Sequence, residues 1–153
     1  GTVLDPGRIY IHRRGRFPLG SVDEGEAADL LGRVTEGLLG LRDDSAGAPA
    51  DGRPVQRIYA RDELYHGPAL EAAPDLVIHF NDGYDPKGAL SKTEVFGRSA
   101  LTGMHTYADS LFFVNRSGVP TEGLDIIDLA PTILTLLGVE VPDDMDGRVR
   151  VPV

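Results

Sequence analysis

Six apolar side chains, Ala27, Leu30, Leu31, Val34, Leu38 and Leu41, recur at three- and four-residue spacings. That period lines one face of an amphipathic helix, and a helix of this kind over residues 24–41 must lay the face against something apolar. Asp23, Glu24 and Glu26 stand at its start, where the peptide dipoles favour negative charge. Gly32, Gly37 and Gly40 oppose the helix, because glycine surrenders the most backbone freedom on folding.

Short β-prone runs supply the surface for that face. Strands are predicted near 8–12, 55–59, 75–80 and 111–115. The runs Leu76 to Phe80 and Leu111 to Val114 are continuously apolar, which suits strands buried on both faces. A second helix is predicted over 128–137, with Asp128 as N-cap, Pro131 in the first turn and Gly138 at the stop. Strands alternating with helices give an α/β fold with a mixed β-sheet flanked by helices. Asp43 to Pro54 reads as a loop, and Asn81 to Gly103, with four glycines and Pro86, has no period. A long irregular stretch inside a compact domain is often functional.

Composition narrows the function. The net charge of −9 repels phosphate backbones, so no nucleic-acid polymer is expected as a partner. A small phosphorylated substrate stays compatible, since bound metal ions invert a local field. With no cysteine, thiolate metal sites and cysteine nucleophiles are excluded. The sequence has no apolar run of membrane-spanning length and no leader-like segment at its start, so a cytoplasmic location without membrane attachment is expected.

The four histidines, His12, His66, His79 and His105, are too far apart for a local zinc-binding pair. His12 and His79 lie in strand-like runs and His66 in a turn, contexts that suit structural roles. His105 differs, because it follows Gly103, closes the irregular stretch and precedes an apolar run. Loops at strand ends of α/β sheets commonly hold ligands and metals. Ser99, His105 and Asp109 could make a nucleophile, base and third member, but no GxSxG elbow surrounds Ser99. Asp143, Asp144 and Asp146 lack the spacing and the final Glu of a calcium loop.

The order of several short motifs is more specific than any one of them. Gly103 and His105 are followed by Leu111 to Val114, then by Asp125 to Leu134 with Ala130-Pro131-Thr132 inside it. Leu137-Gly138 and Pro142 to Gly147 complete the run. Upstream stand Gly15-Arg16-Phe17-Pro18, Leu64 to Pro68 and Ala73-Pro74-Asp75. This order resembles the C-terminal end of the alkaline phosphatase superfamily, in the branch of type I phosphodiesterases and nucleotide pyrophosphatases.

The resemblance implies that residues 1–153 form a single C-terminal domain of an alkaline-phosphatase-like fold. About 13–100 would correspond to a cap or insertion, and 101–153 to the last metal-ligand loop, strand and helix of the core. It implies a parent hydrolase with two divalent ions, zinc or manganese, and a Thr or Ser nucleophile upstream of this chain. His105 would be the last histidine ligand to one metal, with Gly103, Thr106 and Tyr107 as candidate lining. No residue here matches the family's nucleophile or its other ligands, so this chain is expected to be inactive alone and to retain no metal ion. Phosphomutase and sulfatase parents fit the same resemblance, and a non-catalytic substrate-cap or binding domain is the alternative of a different class. A chain cut from a larger core would also expose apolar surface near His105 and could associate with itself there.

Overall fold

The computed structural model describes residues 6–88, 91–98, 100, 103–106, 111–120 and 122–151. The chain is a small α/β protein that divides into two compact units, residues 1–105 and 106–153.

The first unit is built on a three-stranded sheet of β1 (Arg8–Ile9), β2 (Val55–Ala60) and β3 (Leu76–Phe80) in the order β1-β3-β2. Helix α1 (Glu24–Gly40) packs on β2, and the one-turn helix α2 (Arg61–Leu64) follows β2 directly. The amphipathic pattern is realised: Ala27 is buried, and Leu30, Leu31, Val34 and Leu38 are half-buried. The Glu26 carboxylate accepts the Asp23 N–H at 3.2 Å, which satisfies one of the donors a helix start leaves open. Ile11, Val55, Leu76 and Ile78 complete the apolar core of this unit.

Three expectations are corrected here. The sheet is antiparallel rather than mixed, since β3 runs against both of its neighbours. The connection from β2 to β3 carries only α2 and a short 3-10 turn at Leu70–Ala72, and it returns the chain alongside the strand it left. A parallel neighbour would need a longer crossover. The strand expected at 8–12 pairs only at Arg8 and Ile9, because the Ile11 N–H goes to the Asp75 carboxylate at 2.7 Å instead of to a ladder carbonyl. The strand at 76–80 buries one face more than the other: Leu76 and Ile78 are buried, while Val77 and His79 are half-buried.

The second unit contains a 3-10 turn (Ile126–Asp128) that runs into α3 (Leu129–Leu136). Gly138, at φ +69°, ends the helix as expected. The strand expected at 111–115 does not form. Residues 111–114 pair with nothing among the described residues, and Leu111 and Phe113 are 95% and 83% exposed. An apolar run favours a strand only when a ladder partner exists, and the described residues of this unit contain no other strand.

Among the described residues, no helix is long and apolar enough to cross a membrane.

Candidate functional site

Gly103, Met104, His105 and Thr106 form an irregular, exposed segment. His105 closes the first unit and Thr106 opens the second. Open space surrounds the position a Cβ would take at Gly103, so that glycine answers to no close packing. Tyr107 lies outside the described residues, as do Ser99 and Asp109. Among the described residues, no three His, Asp or Glu side chains come together as a metal site. His66 is exposed in its turn, and His79 sits half-buried within β3. Asp143, Asp144 and Asp146 are exposed.

The stretch before His105 is irregular, as its sequence indicates, and it is tied down. The Tyr84 hydroxyl donates to the Pro49 carbonyl at 3.0 Å and lies 3.4 Å from an Asp43 oxygen. The Tyr84 ring meets Phe96 edge-on at 6.3 Å, and Arg98 donates to the Ala46 carbonyl at 2.5 Å. Burial raises the Tyr84 phenol above its ordinary pKa, and the neighbouring Asp43 charge pushes the same way. Hydrogen bonds from Ser45 hold Asp43 below the usual aspartate range. Tyr84 and Arg98 therefore hold this stretch against the loop at 43–53.

Two buried aspartates each gather several backbone and side-chain donors. Asp75 accepts the Ile11 N–H at 2.7 Å, two bonds from Arg16 Nη1 at 2.8 Å and one from Arg13 Nη2 at 3.2 Å. Arg16 also donates to the Ala73 carbonyl, and Arg13 reaches Glu24 at 3.0 Å. The Asp75 side chain is 4% exposed. Two guanidinium groups, Arg13 and Arg16, meet its oxygens, so the buried side chain has its hydrogen-bond partners in place. The loop that carries both arginines is closed by Arg14 N–H to the Val22 carbonyl and Ser21 N–H to the His12 carbonyl. A Cβ at Gly20 would lie 2.0 Å from the Arg13 carbonyl oxygen, so only glycine fits there.

Asp128 does comparable work in the second unit. It accepts the Arg148 N–H at 2.8 Å and the Asp125 N–H at 3.3 Å. Arg150 Nε stands 3.3 Å from the same carboxylate as an ion pair, without hydrogen-bond alignment. Thr132 takes the Arg150 N–H at 3.0 Å, and Arg150 donates to the Gly123 carbonyl. The Arg148 amide bond is the main reason the Asp128 pKa falls below its ordinary value. A Cβ at Gly147 would lie 2.0 Å from the Ile127 carbonyl oxygen.

The motif residues thus have visible packing duties. Arg16 and Asp75 join two of the upstream motifs, while Asp128, Thr132 and Gly147 join two of the downstream ones. Reading the sequence by element found Asp128 only as an N-cap and missed the Asp75 cluster. The one available signal for that cluster was an Asp placed directly before the most apolar run.

No protein-family model matches the chain, and no curated protein or solved structure matches it either.

Proposed function

We propose that this chain is the C-terminal portion of a metal-dependent phosphohydrolase of the phosphodiesterase or nucleotide pyrophosphatase type, and that it is inactive alone. The observation that carries this reading is the interlocking of residues that the ordered motifs contribute. Asp128, Thr132 and Gly147 stand up to 19 positions apart in sequence yet meet at one corner. A chance match of composition gives no reason for such a corner. It supports treating the order of motifs as a structural signature rather than as coincidence.

Within this reading His105 is the chain's single contribution to a metal cluster, and Gly103 and Thr106 flank it. The described residues do not fit a metal centre by themselves, since one imidazole is far short of the three or four ligands that hold zinc. The other ligands and the Thr or Ser nucleophile belong to the parent's upstream region, and two divalent ions, zinc or manganese, would complete the centre there. The substrate is a small phosphorylated molecule. The apolar side chains exposed in the second unit, Leu111, Phe113, Ile126 and Leu137 among them, would be covered by the rest of the parent. In its absence they favour self-association.

Hydrolysis of bis(p-nitrophenyl) phosphate by the purified chain, with zinc and with manganese, tests the proposal beside a His105→Ala control. We expect no turnover above the metal-only blank. Turnover that requires both the metal and His105 would mean that the chain carries its own nucleophile and cluster, and the fragment reading would fall.

A further inference from the structure

With no cysteine in the chain, the thioethers of Met104 and Met145 are its only sulfur atoms. Met104 is 40% exposed, while Met145 is half-buried. The Met104 Sδ accepts the Gly83 N–H at 2.9 Å. Among the described residues, this is the one hydrogen bond that the segment Gly103 to Thr106 makes. Gly83 is a firm mount for it. This glycine sits at φ +92°, and a Cβ there would lie 2.7 Å from the Pro49 ring. Its turn is tied on both sides. The Asn81 side chain donates to the Arg53 carbonyl at 2.7 Å, and the Tyr84 hydroxyl donates to the Pro49 carbonyl at 3.0 Å. A thioether contact therefore holds the segment to the built part of the first unit, and the residue that makes it is the immediate neighbour of His105.

We infer that Met104 is a site of reversible oxidation to the sulfoxide by peroxide, and that this oxidation releases the His105 segment from Gly83. A sulfur lone pair attacks one oxygen of hydrogen peroxide, and the O–O bond breaks. The departing hydroxide takes the proton of the transferred oxygen and leaves as water. Sulfur is oxidised by two electrons and the peroxide is reduced by two. The exposed thioether is open to this attack. Its consequence follows from the contact. A thioether sulfur is a weak acceptor, whereas in a sulfoxide the sulfur is electron-poor and the oxygen becomes the acceptor. At 2.9 Å there is no room for that oxygen between sulfur and nitrogen. The side chain must turn away, and the segment loses its hold on Gly83. Methionine sulfoxide reductases restore the thioether, so the change is reversible. The oxidation stands independently of the phosphohydrolase reading. Only its effect on a metal centre rests on that reading, since a displaced His105 would hold its ion less well.

The test treats the purified chain with dilute hydrogen peroxide and follows it by peptide mass spectrometry and amide NMR. Met104 should oxidise about fivefold or more faster than Met145, and in denaturant the two rates should converge. As the Met104 sulfoxide forms, the Gly83 and His105 amide signals should move. A mixture of the two methionine sulfoxide reductases, one for each epimer, should return them. Met104→Leu should abolish the response of both signals to peroxide, and Met145→Leu should leave it intact. Both replacements nearly conserve volume, so the rest of each spectrum should stay that of the folded chain. Equal oxidation of the two methionines in the folded chain would overturn the inference. So would Met104 sulfoxide with unmoved Gly83 and His105 signals, or shifts that persist in Met104→Leu. The measurement uses neither metal nor turnover. Its failure would leave the phosphohydrolase reading standing, and failure of that reading would leave the oxidation measurable.

Discussion

Asp75 accepts a backbone N–H from 64 residues away in sequence, and Asp128 accepts one from 20 residues away. Each is buried, and each fixes a stretch that has no regular structure of its own. What stands behind them differs. Asp75 sits against a sheet whose inner face buries Ile11, Val55, Leu76 and Ile78, with Ala27 of α1 added. Asp128 sits beside a single two-turn helix, where Pro131, Thr132 and Val151 are the other buried residues described. Ile126 and Leu137 of the second unit are 82% and 70% exposed. A polar clamp selects one path for the chain, but the free energy that holds a fold comes mostly from apolar burial. The first unit has both. The second has the clamp with little core behind it, and pieces this small rarely stabilise themselves without a staple or a partner.

The largest expected effect strikes the better-built unit. Asp75→Asn leaves Arg13 and Arg16 without their shared counter-charge in a buried position, and should cost about 3–5 kcal/mol of unfolding free energy in a denaturant titration. A loss below about 1 kcal/mol would mean that the guanidinium groups reach water and that the clamp is an ordinary surface pair. In the second unit, Gly147→Ala drives a methyl group into the Ile127 carbonyl and should cost about 1–3 kcal/mol. Amide exchange at Arg148 and Arg150 reads it locally, and unchanged protection there would show that the corner is loose.

Thr132→Val keeps the shape but removes the acceptor for the Arg150 N–H, for a smaller loss of about 1–2 kcal/mol. The same two amides should exchange faster, while those of β3 should not. Acid gives the gentlest contrast. Hydrogen bonds from the Arg148 and Asp125 amides, with the Arg150 charge, lower the Asp128 pKa below its ordinary 3.8. The stability this supplies is fully present above that ordinary value and is lost as pH falls through the lowered one. Amide protection at Arg148 should decline only in that acid range, and in Asp128→Asn it should already be weak at neutral pH and insensitive to acid. A decline centred at neutral pH in the native chain would assign the clamp to another group.

Local pattern made much of the fold legible. The period of α1, the two longer strands, the helix at 129–136 and the irregular stretch after Asn81 follow from side-chain spacing and turn residues. What did not follow depends on partners distant in sequence. The Ile11 N–H leaves the ladder because Asp75 is there to receive it, and no window of neighbouring residues contains that fact. Leu111 to Val114 has strand chemistry without a strand beside it among the described residues. For the candidate site, His105 stood out by its place in the sequence, yet the described residues gather no group of three ligating side chains. The Arg13–Asp75–Arg16 cluster gave no sequence signal beyond the place of Asp75 before an apolar run, because a buried charged pair is recognisable only once both partners are in place.

The central claim is that His105 is one ligand of a metal centre whose remaining parts lie upstream. Metal content and phosphodiester turnover should be measured together on the polypeptide that includes the upstream coding region, with and without His105→Ala. The account predicts about two bound divalent ions per chain in the unaltered protein. It predicts that the variant loses one of them together with its turnover. Full metal content and unchanged turnover in His105→Ala would contradict it.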